Sequence, residues 1–401
     1  LIHIAPPSEK ANYCTYIYPI ADELKRTLQF FMPGKTPIEI ATRVADICSR
    51  SDHVSLADMV RLDGSVSNIP RELWKRIILS FFKHEYHAEI LKLFRGTYDR
   101  TAKLQVGTDA LIYETMWIIL SGRIDTSIFG TLTTAFSAYY AYRTQHNPPI
   151  AWGLLQRDCC AMGDDLIVGG LEAATLARGA TAIGCKSDAY SVKSGHTGVV
   201  YLSRAYGPYV WEGDPVSMTC LKRQLSKFHT TVKLTGITPG DKLREKARGY
   251  LASDRYTPVL GEFCQVVEKI CGPLFRKSST LAIERWQSEL DQDVQYPNQY
   301  AEWMESMARD ELPEFDFEAF RAYIGSATRE EQLLDLPVFM EPETVATKLP
   351  VVVNDDVHYP EDNPAEEVAK QPTEQKSVTP RCREKKRSPS KRKKKRSSQT
   401  K

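Results

Sequence analysis

The sequence of 401 residues holds nine cysteines but no Cys-x-x-Cys pair, and no apolar run reaches the roughly 18 residues a membrane helix needs. The first absence removes zinc-ribbon and thioredoxin-type sites. An odd, scattered cysteine count without a disulfide framework fits a reducing compartment. The second removes a spanning helix from these residues, and no signal peptide is visible at the start. Excess charge is missing too: 53 Lys and Arg against 51 Asp and Glu leave a net +2, which conceals an asymmetry, and the body of the first 380 residues, at about −9 (2 − 11), does not announce nucleic-acid binding. His84-Glu85-Tyr86-His87 has the outline of a metal pair, but no Cys or third His stands near it, and a metal role is set aside.

What is present is ordinary globular chain. Hydrophobic residues make up 42% and charged residues 26%, and the length allows two or three subdomains around a sizeable core. Ala21 to Phe31 and Ile38 to Ser49 have helical spacing, with Pro33-Gly34 as the break between them. Pro70 to Phe94 reads as one helix, with Leu73, Trp74, Ile77, Ile78, Phe81 and Phe82 on a core-facing side. Met116 to Leu120 reads as a strand or extended segment, Phe129 to Tyr142 as a helix with small residues on its faces, and Leu171 to Ala182 as a helix ending at Gly184. After about residue 336 Pro, Glu, Asp and Val predominate, and Asp355 to Lys401 has the composition of a disordered tail. Its end concentrates the positive charge: residues 381–401 carry 12 Lys or Arg and one Glu. Lys393 and Lys394 lie in that run, which suits RNA phosphates through counterion release, a nuclear-import signal or a membrane surface, the first being favoured. Phosphorylation of Ser388 or Ser390 beside the basic runs would weaken that contact.

Three short stretches carry chemistry. Gly163-Asp164-Asp165 stands between Cys159-Cys160-Ala161-Met162 and Leu166-Ile167-Val168, which reads as a β-hairpin with two carboxylates at its tip. Carboxylate oxygens suit Mg²⁺, and two-metal phosphoryl transfer needs such a cluster; a solvated Asp-Asp turn is the bland alternative. Asp58 and Asp63 follow His53 to Ala57, read as a short strand that Gly64 breaks; two surface carboxylates are the alternative there. Ser121-Gly122-Arg123-Ile124-Asp125-Thr126 forms a Gly-containing loop ahead of a helix, able to pass a nucleic-acid backbone or simply to cap the helix.

In order, these pieces spell Asp-x4-Asp, Ser-Gly-x3-Thr and Gly-Asp-Asp, with 106 residues from Asp58 to Asp164 and 42 from Gly122 to Asp164. The set resembles motifs A, B and C in the palm of viral RNA-dependent RNA polymerases. Val200-Tyr201-Leu202-Ser203-Arg204 looks like motif E, and Arg223 to His229 with Tyr256-Thr257-Pro258 look like the thumb of nodavirus-like replicases of positive-strand RNA viruses. The resemblance covers roughly residues 1–275. It implies an α+β fold: a right-hand polymerase palm, an antiparallel sheet with flanking helices, a helical thumb, partial fingers and a disordered C-terminal tail. The expected division is partial fingers at 1–50, palm at 51–206, thumb at 207–335 and tail at 336–401.

The resemblance also implies roles. Asp58 and Asp164 match the carboxylates that hold two Mg²⁺ ions (Mn²⁺ as the substitute), with Asp165 as the supporting carboxylate. Asp63 matches the residue that senses the ribose 2′-hydroxyl, while Ser121, Gly122 and Thr126 match the loop that supports template and incoming nucleotide. Lys186, or Lys193 a little farther on, would be the motif D general acid toward pyrophosphate. Arg204 is expected to touch RNA. Gly130 departs from the family, which usually has Asn there; Thr126, Asp125 or Ser127 would then substitute, or sugar discrimination would weaken. No Arg or Lys precedes Lys10, so the basic motif F is missing, and the chain reads as a C-terminal fragment of a longer replicase, impaired alone. The implied partners are RNA template and product, NTPs and other replicase subunits, with membrane contact only through an upstream segment, at membrane-associated replication sites in the host cytoplasm. The rival readings are a reverse transcriptase, against which Gly163 and Asp63 argue, and a non-catalytic palm remnant that binds RNA or partners.

Overall fold

Burial decides the first element against a local rule. Helix α1 (Pro7–Thr27) runs through Pro19, where sequence reading starts a helix only at Ala21. A proline inside a helix costs about 3 kcal/mol. Ile17, Ile20 and Leu24, recurring on one face, are buried, and at about 1.5–3 kcal/mol each they outweigh that cost. The computed structural model describes residues 7–98, 100–106, 109–120, 122–195, 197–231, 237–272, 294–340, 351–353 and 356–358. Helix α2 (Pro37–Ser49) starts at a capping box: Thr36 Oγ1 accepts from the Glu39 amide, and the Glu39 carboxylate accepts from the Thr36 amide.

Strand β1 (His53–Met59) leads into a turn where Arg61 is left-handed and into the short α3 (Leu62–Ser65). Gly64 therefore lies within a helical turn and does not itself end the strand. The single helix expected over 70–94 is divided. Helix α4 (Asn68–Ser80) starts from the Ser67 N-cap; Lys83 is extended; a 3₁₀ turn covers His84–Tyr86; and α5 (His87–Arg95) resumes. The apolar period carries across the break because Phe82 still packs on the core beside Ile77. A hairpin of β2 (Thr101–Val106) and β3 (Asp109–Glu114) precedes a strandless run over 115–120.

Helices α6 (Thr126–Arg143) and α7 (Pro148–Asp158) lead to β4 (Cys159–Met162), β5 (Asp165–Gly169), α8 (Ala173–Ala182) and β6 (Ser187–Lys193). The four strands form one antiparallel sheet in the order β4-β5-β1-β6. Both faces are covered. Ala57, Met59, Cys159, Ala161, Leu166 and Val168 join the core under α6 and α8, while Val54, Leu56, Cys160 and Ile167 join a second core with α2. This is why Cys159-Cys160-Ala161 and Leu166-Ile167-Val168 are apolar at every position rather than alternating. Helix α6 is buried almost all round, and its small residues permit close crossings. At Gly179 of α8, a Cβ would lie 2.4 Å from the Ser137 carbonyl oxygen of α6.

Strands β7 (Val199–Tyr201), β8 (Arg204–Tyr206) and β9 (Ser217–Thr219) form a second antiparallel sheet. Helices α9 (Leu221–Phe228), α10 (Pro239–Ser253), α11 (Leu260–Cys271), α12 (Glu302–Glu311), α13 (Phe317–Ser326) and α14 (Glu330–Leu334) then enclose a separate core that includes Phe228, Leu243, Leu260, Phe263 and Phe320. The chain divides into compact units at 1–341 and 342–401. In the second, β10 (Val351–Val353) pairs with β11 (Asp356–His358), inside a stretch whose composition reads as tail; the basic run with Lys393 and Lys394 lies outside the described residues.

Candidate active site

The β4–β5 hairpin turns on two residues, Gly163 and Asp164, with Met162 paired to Asp165 as the last rung. Gly163 has φ 66°, the left-handed first position that a two-residue hairpin reserves for glycine. Asp58 is the register partner of Asp165 on one side and of Asp188 on the other. The Met59 amide donates to the Asp164 carbonyl at 3.2 Å, fixing the turn beside the end of β1. Three expected carboxylates thus meet at one end of the sheet, joined by a fourth, Asp188.

Electrostatics register the crowding. Burial first, then Asp164 and Asp188, raise the Asp58 carboxyl above its usual range. Burial, then Asp164 and Asp58, push Asp165 up to about 6, with Arg223 opposing the shift. Like charges held this close favour the protonated form and equally favour an incoming cation.

The other expected residues surround this end. The Val60 amide donates to the Lys186 carbonyl at 2.9 Å, placing the Lys186 loop at the carboxylate end of β1. Lys193 pairs with His53 at the opposite end, about 17 Å away along the strand. Asp63 lies in α3, where its carbonyl accepts from the Ile119 amide at 2.7 Å and ties it to the approach of the Gly122 loop. That approach is also held by buried Arg71, whose Nε donates to the Trp117 carbonyl at 2.8 Å and whose guanidinium lies over Tyr98 and Phe129. Gly122 is left-handed, and Thr126 opens α6 with its Oγ1 donating to the Leu120 carbonyl at 3.2 Å. Ser121 lies outside the described residues.

No family model matches the chain. It is 28% identical over 278 residues to the RNA-directed RNA polymerase of Pariacoto virus, which covers 66% of the chain and 27% of that relative. The chain is a distant relative of the nodavirus-type RNA-directed RNA polymerases. The Boolarra virus polymerase is 28% identical over 258 residues, covering 63% of the chain and 24% of the relative, and that of Striped jack nervous necrosis virus is 26% identical over 276 residues, 67% and 27%. The chain thus spans about a quarter of the length of the curated relatives it matches. Among solved structures, the RNA-dependent RNA polymerase of a human picorbirnavirus shares the fold with a TM-score of 0.54 at 16% identity, over 72% of the chain and 55% of that structure. Its insertion-loop deletion mutant gives 0.56 at 15%, over 73% and 58%. The small antiparallel sheets with flanking helices match the palm-and-thumb architecture of that fold.

Against that polymerase fold, two expectations need correction. Arg204 does not face RNA. It is 5% exposed, and its guanidinium bonds Asp254 at 3.0 Å, Ser217 through Nε and Nη2, and lies 4.2 Å from the Tyr296 ring centroid. It ties β8 to the C-terminal end of α10. Asp125 cannot stand in for the absent Asn: it is buried, and one carboxylate oxygen accepts from Tyr13 at 3.0 Å and from Trp74 at 3.2 Å. The roles of two residues at this end are not legible in the sequence. Asp188 needed the β1–β6 register to reveal it. Arg223, exposed on α9, donates to Ser203 Oγ and reaches Asp165 electrostatically, a link between α9 and the carboxylate hairpin that no local pattern announces.

Among the described residues, no group of three or more His, Cys, Asp or Glu is arranged to hold a metal ion. A carboxylate pair such as Asp58 and Asp164 would be the donor set on offer. That fits Mg²⁺, which binds through one or two carboxylates, water and substrate phosphates rather than in an all-protein cage.

Proposed function

We propose that the chain carries the catalytic palm of an enzyme that joins ribonucleoside triphosphates on an RNA template. The observation that carries this reading is the convergence of Asp58, Asp164 and Asp165, from strands 106 residues apart in sequence, at one end of the palm sheet beside the start of α6. The relationship to RNA-directed RNA polymerases supports the same chemistry at the level of the family.

In this reading Asp58 and Asp164 would hold Mg²⁺, with Mn²⁺ as substitute, and Asp165 supports them. Bound there, the metal would supply Lewis acidity at the primer 3′-hydroxyl and the leaving diphosphate. Lys186 protonates the leaving group from the loop beside Val60. Gly122 and Thr126, with Ser121, support template and nucleotide, and Asp63 meets the ribose hydroxyl. RNA and NTPs are the partners, the basic run near Lys393 and Lys394 adds a sequence-independent RNA contact, and membrane-associated sites in the host cytoplasm are the place of work.

The test is labelled-ribonucleotide incorporation on a primed RNA template, with the chain exchanged for the matched stretch of a curated relative. Incorporation should require Mg²⁺ and fall by more than about a hundredfold in Asp164→Ala. RNA binding without incorporation would favour a non-catalytic palm, and preference for deoxynucleotides would favour a reverse transcriptase.

A further inference from the structure

The carboxylate turn is held by α6 at a single residue. Thr131 and Thr134 lie one helical turn apart and face the β4–β5 hairpin together. The Gly163 amide donates to Thr131 Oγ1 at 2.8 Å, and Thr134 Oγ1 donates to the Gly163 carbonyl at 2.8 Å. Thr131 Oγ1 also donates to the Ser127 carbonyl at 2.8 Å, so a chain of hydrogen bonds runs from the turn to the first turn of α6. Both threonines are fully buried. Gly130 also borders the turn: a Cβ there would sit in ordinary contact, 3.4 Å from Leu62 Cδ2 and 3.8 Å from the Gly163 Cα. A longer side chain would press on the turn.

We infer that Thr131 and Thr134 are positioning residues for the metal-binding carboxylates, fixing both polar groups of the Gly163 backbone and so setting Asp164 against the nucleotide-binding start of α6. The inference rests on the polymerase reading. Its physical ground is that a left-handed glycine is the most freely rotating residue of the hairpin, and Asp164 inherits that freedom directly. Fixing one N–H and one C=O of the same residue removes both rotations. Threonine is a mediocre helix former, and Thr133 shows its ordinary use in α6, donating to the Phe129 carbonyl four residues back. Thr134 is directed across to the strand turn instead, and Thr131 makes the same back-bond, to Ser127, while its free lone pair accepts from the Gly163 amide.

The experiment titrates Mn²⁺ into the chain, following the free-ion paramagnetic resonance signal, alongside thermal melting and single-nucleotide primer extension. Thr131→Val and Thr134→Val should each weaken Mn²⁺ binding about tenfold, the scale of lost outer-shell support, and lower kcat while the KM for nucleotide stays. Thr131→Ser and Thr134→Ser, which keep the hydroxyl, should restore both. Thr133→Val loses the same group from the same helix without touching Gly163 and should keep metal affinity even if it melts lower. Where valine prevents folding, Thr131→Ala and Thr134→Ala give the same readout. Unchanged Mn²⁺ affinity in the Thr131 and Thr134 variants, or equal weakening in Thr133→Val, overturns the positioning role while leaving the polymerase reading intact. A wild-type chain that binds no Mn²⁺ even with nucleotide present, and extends no primer, overturns the polymerase reading itself, and the positioning role with it.

Discussion

Asp165 pits stability against function. Its folded pKa, near 6, lies above the ordinary carboxylate value, so the metal-free folded chain binds more protons than the unfolded chain between about pH 4 and 6. Its contribution to stability is fully present below pH 4 and is lost as pH rises through 6. Asp165→Asn should therefore melt higher than wild type at pH 7.5 without metal, and the difference should vanish at pH 4. Added Mg²⁺ should raise the melting temperature of wild type at pH 7.5 more than that of the variant. Scanning fluorimetry at three pH values reads all of this. Arg204 behaves in the opposite way. Arg204→Ala leaves Asp254, 2% exposed, without its partner, and should cost about 3–5 kcal/mol in urea unfolding. Replacing both members by Met and Leu should recover much of the loss. The sequence announces Arg204 as a basic residue of a conspicuous strand-turn, yet its partner lies 50 residues on, in a thumb helix terminus that no local pattern connects to it.

At the scale of elements, the hairpin was legible because two apolar runs flank a Gly-Asp turn, and α6 and α8 because small and apolar residues dominate them. The break between α4 and α5 was not, since Phe81 and Phe82 continue the period that Lys83 interrupts. Nor was the part of α1 ahead of Pro19, where tertiary burial overrides a helix breaker. The candidate site divides the same way. Asp58, Asp164 and Asp165 stood out by spacing, whereas Asp188 became visible only through strand register, and Thr131 and Thr134 only through helix–turn contact. The α6–α8 crossing offers a direct test. Gly179→Val places a side chain where even a Cβ would meet the Ser137 carbonyl, and the overpacking should cost about 1–3 kcal/mol or more by urea midpoint. Because α6 carries the Gly163 contacts, incorporation should fall as well, which a surface glycine such as Gly153, with open space around its Cβ position, would not reproduce.

For the whole chain, charge is divided unevenly along the sequence. Residues 381–401 carry a net +11, so the preceding 380 residues are net negative. Deleting 381–401 should weaken single-stranded RNA binding at low salt and flatten the plot of log affinity against log salt, by about 0.7 for each phosphate the tail engages. Filter binding across a salt series measures it, and an unchanged slope would assign the tail another partner.

The two-sided burial of the palm sheet also limits how its lineage can vary. Asp58 keeps its place between Asp165 and Asp188 by the alternation within each strand, successive positions going to opposite cores. A substitution leaves parity alone. Gain or loss of a single codon within β1, β4 or β5 would turn every following side chain inside out and carry the carboxylates off the rim. Descendants of this sequence can rewrite the letters of these strands, but their lengths are inherited as a fixed count.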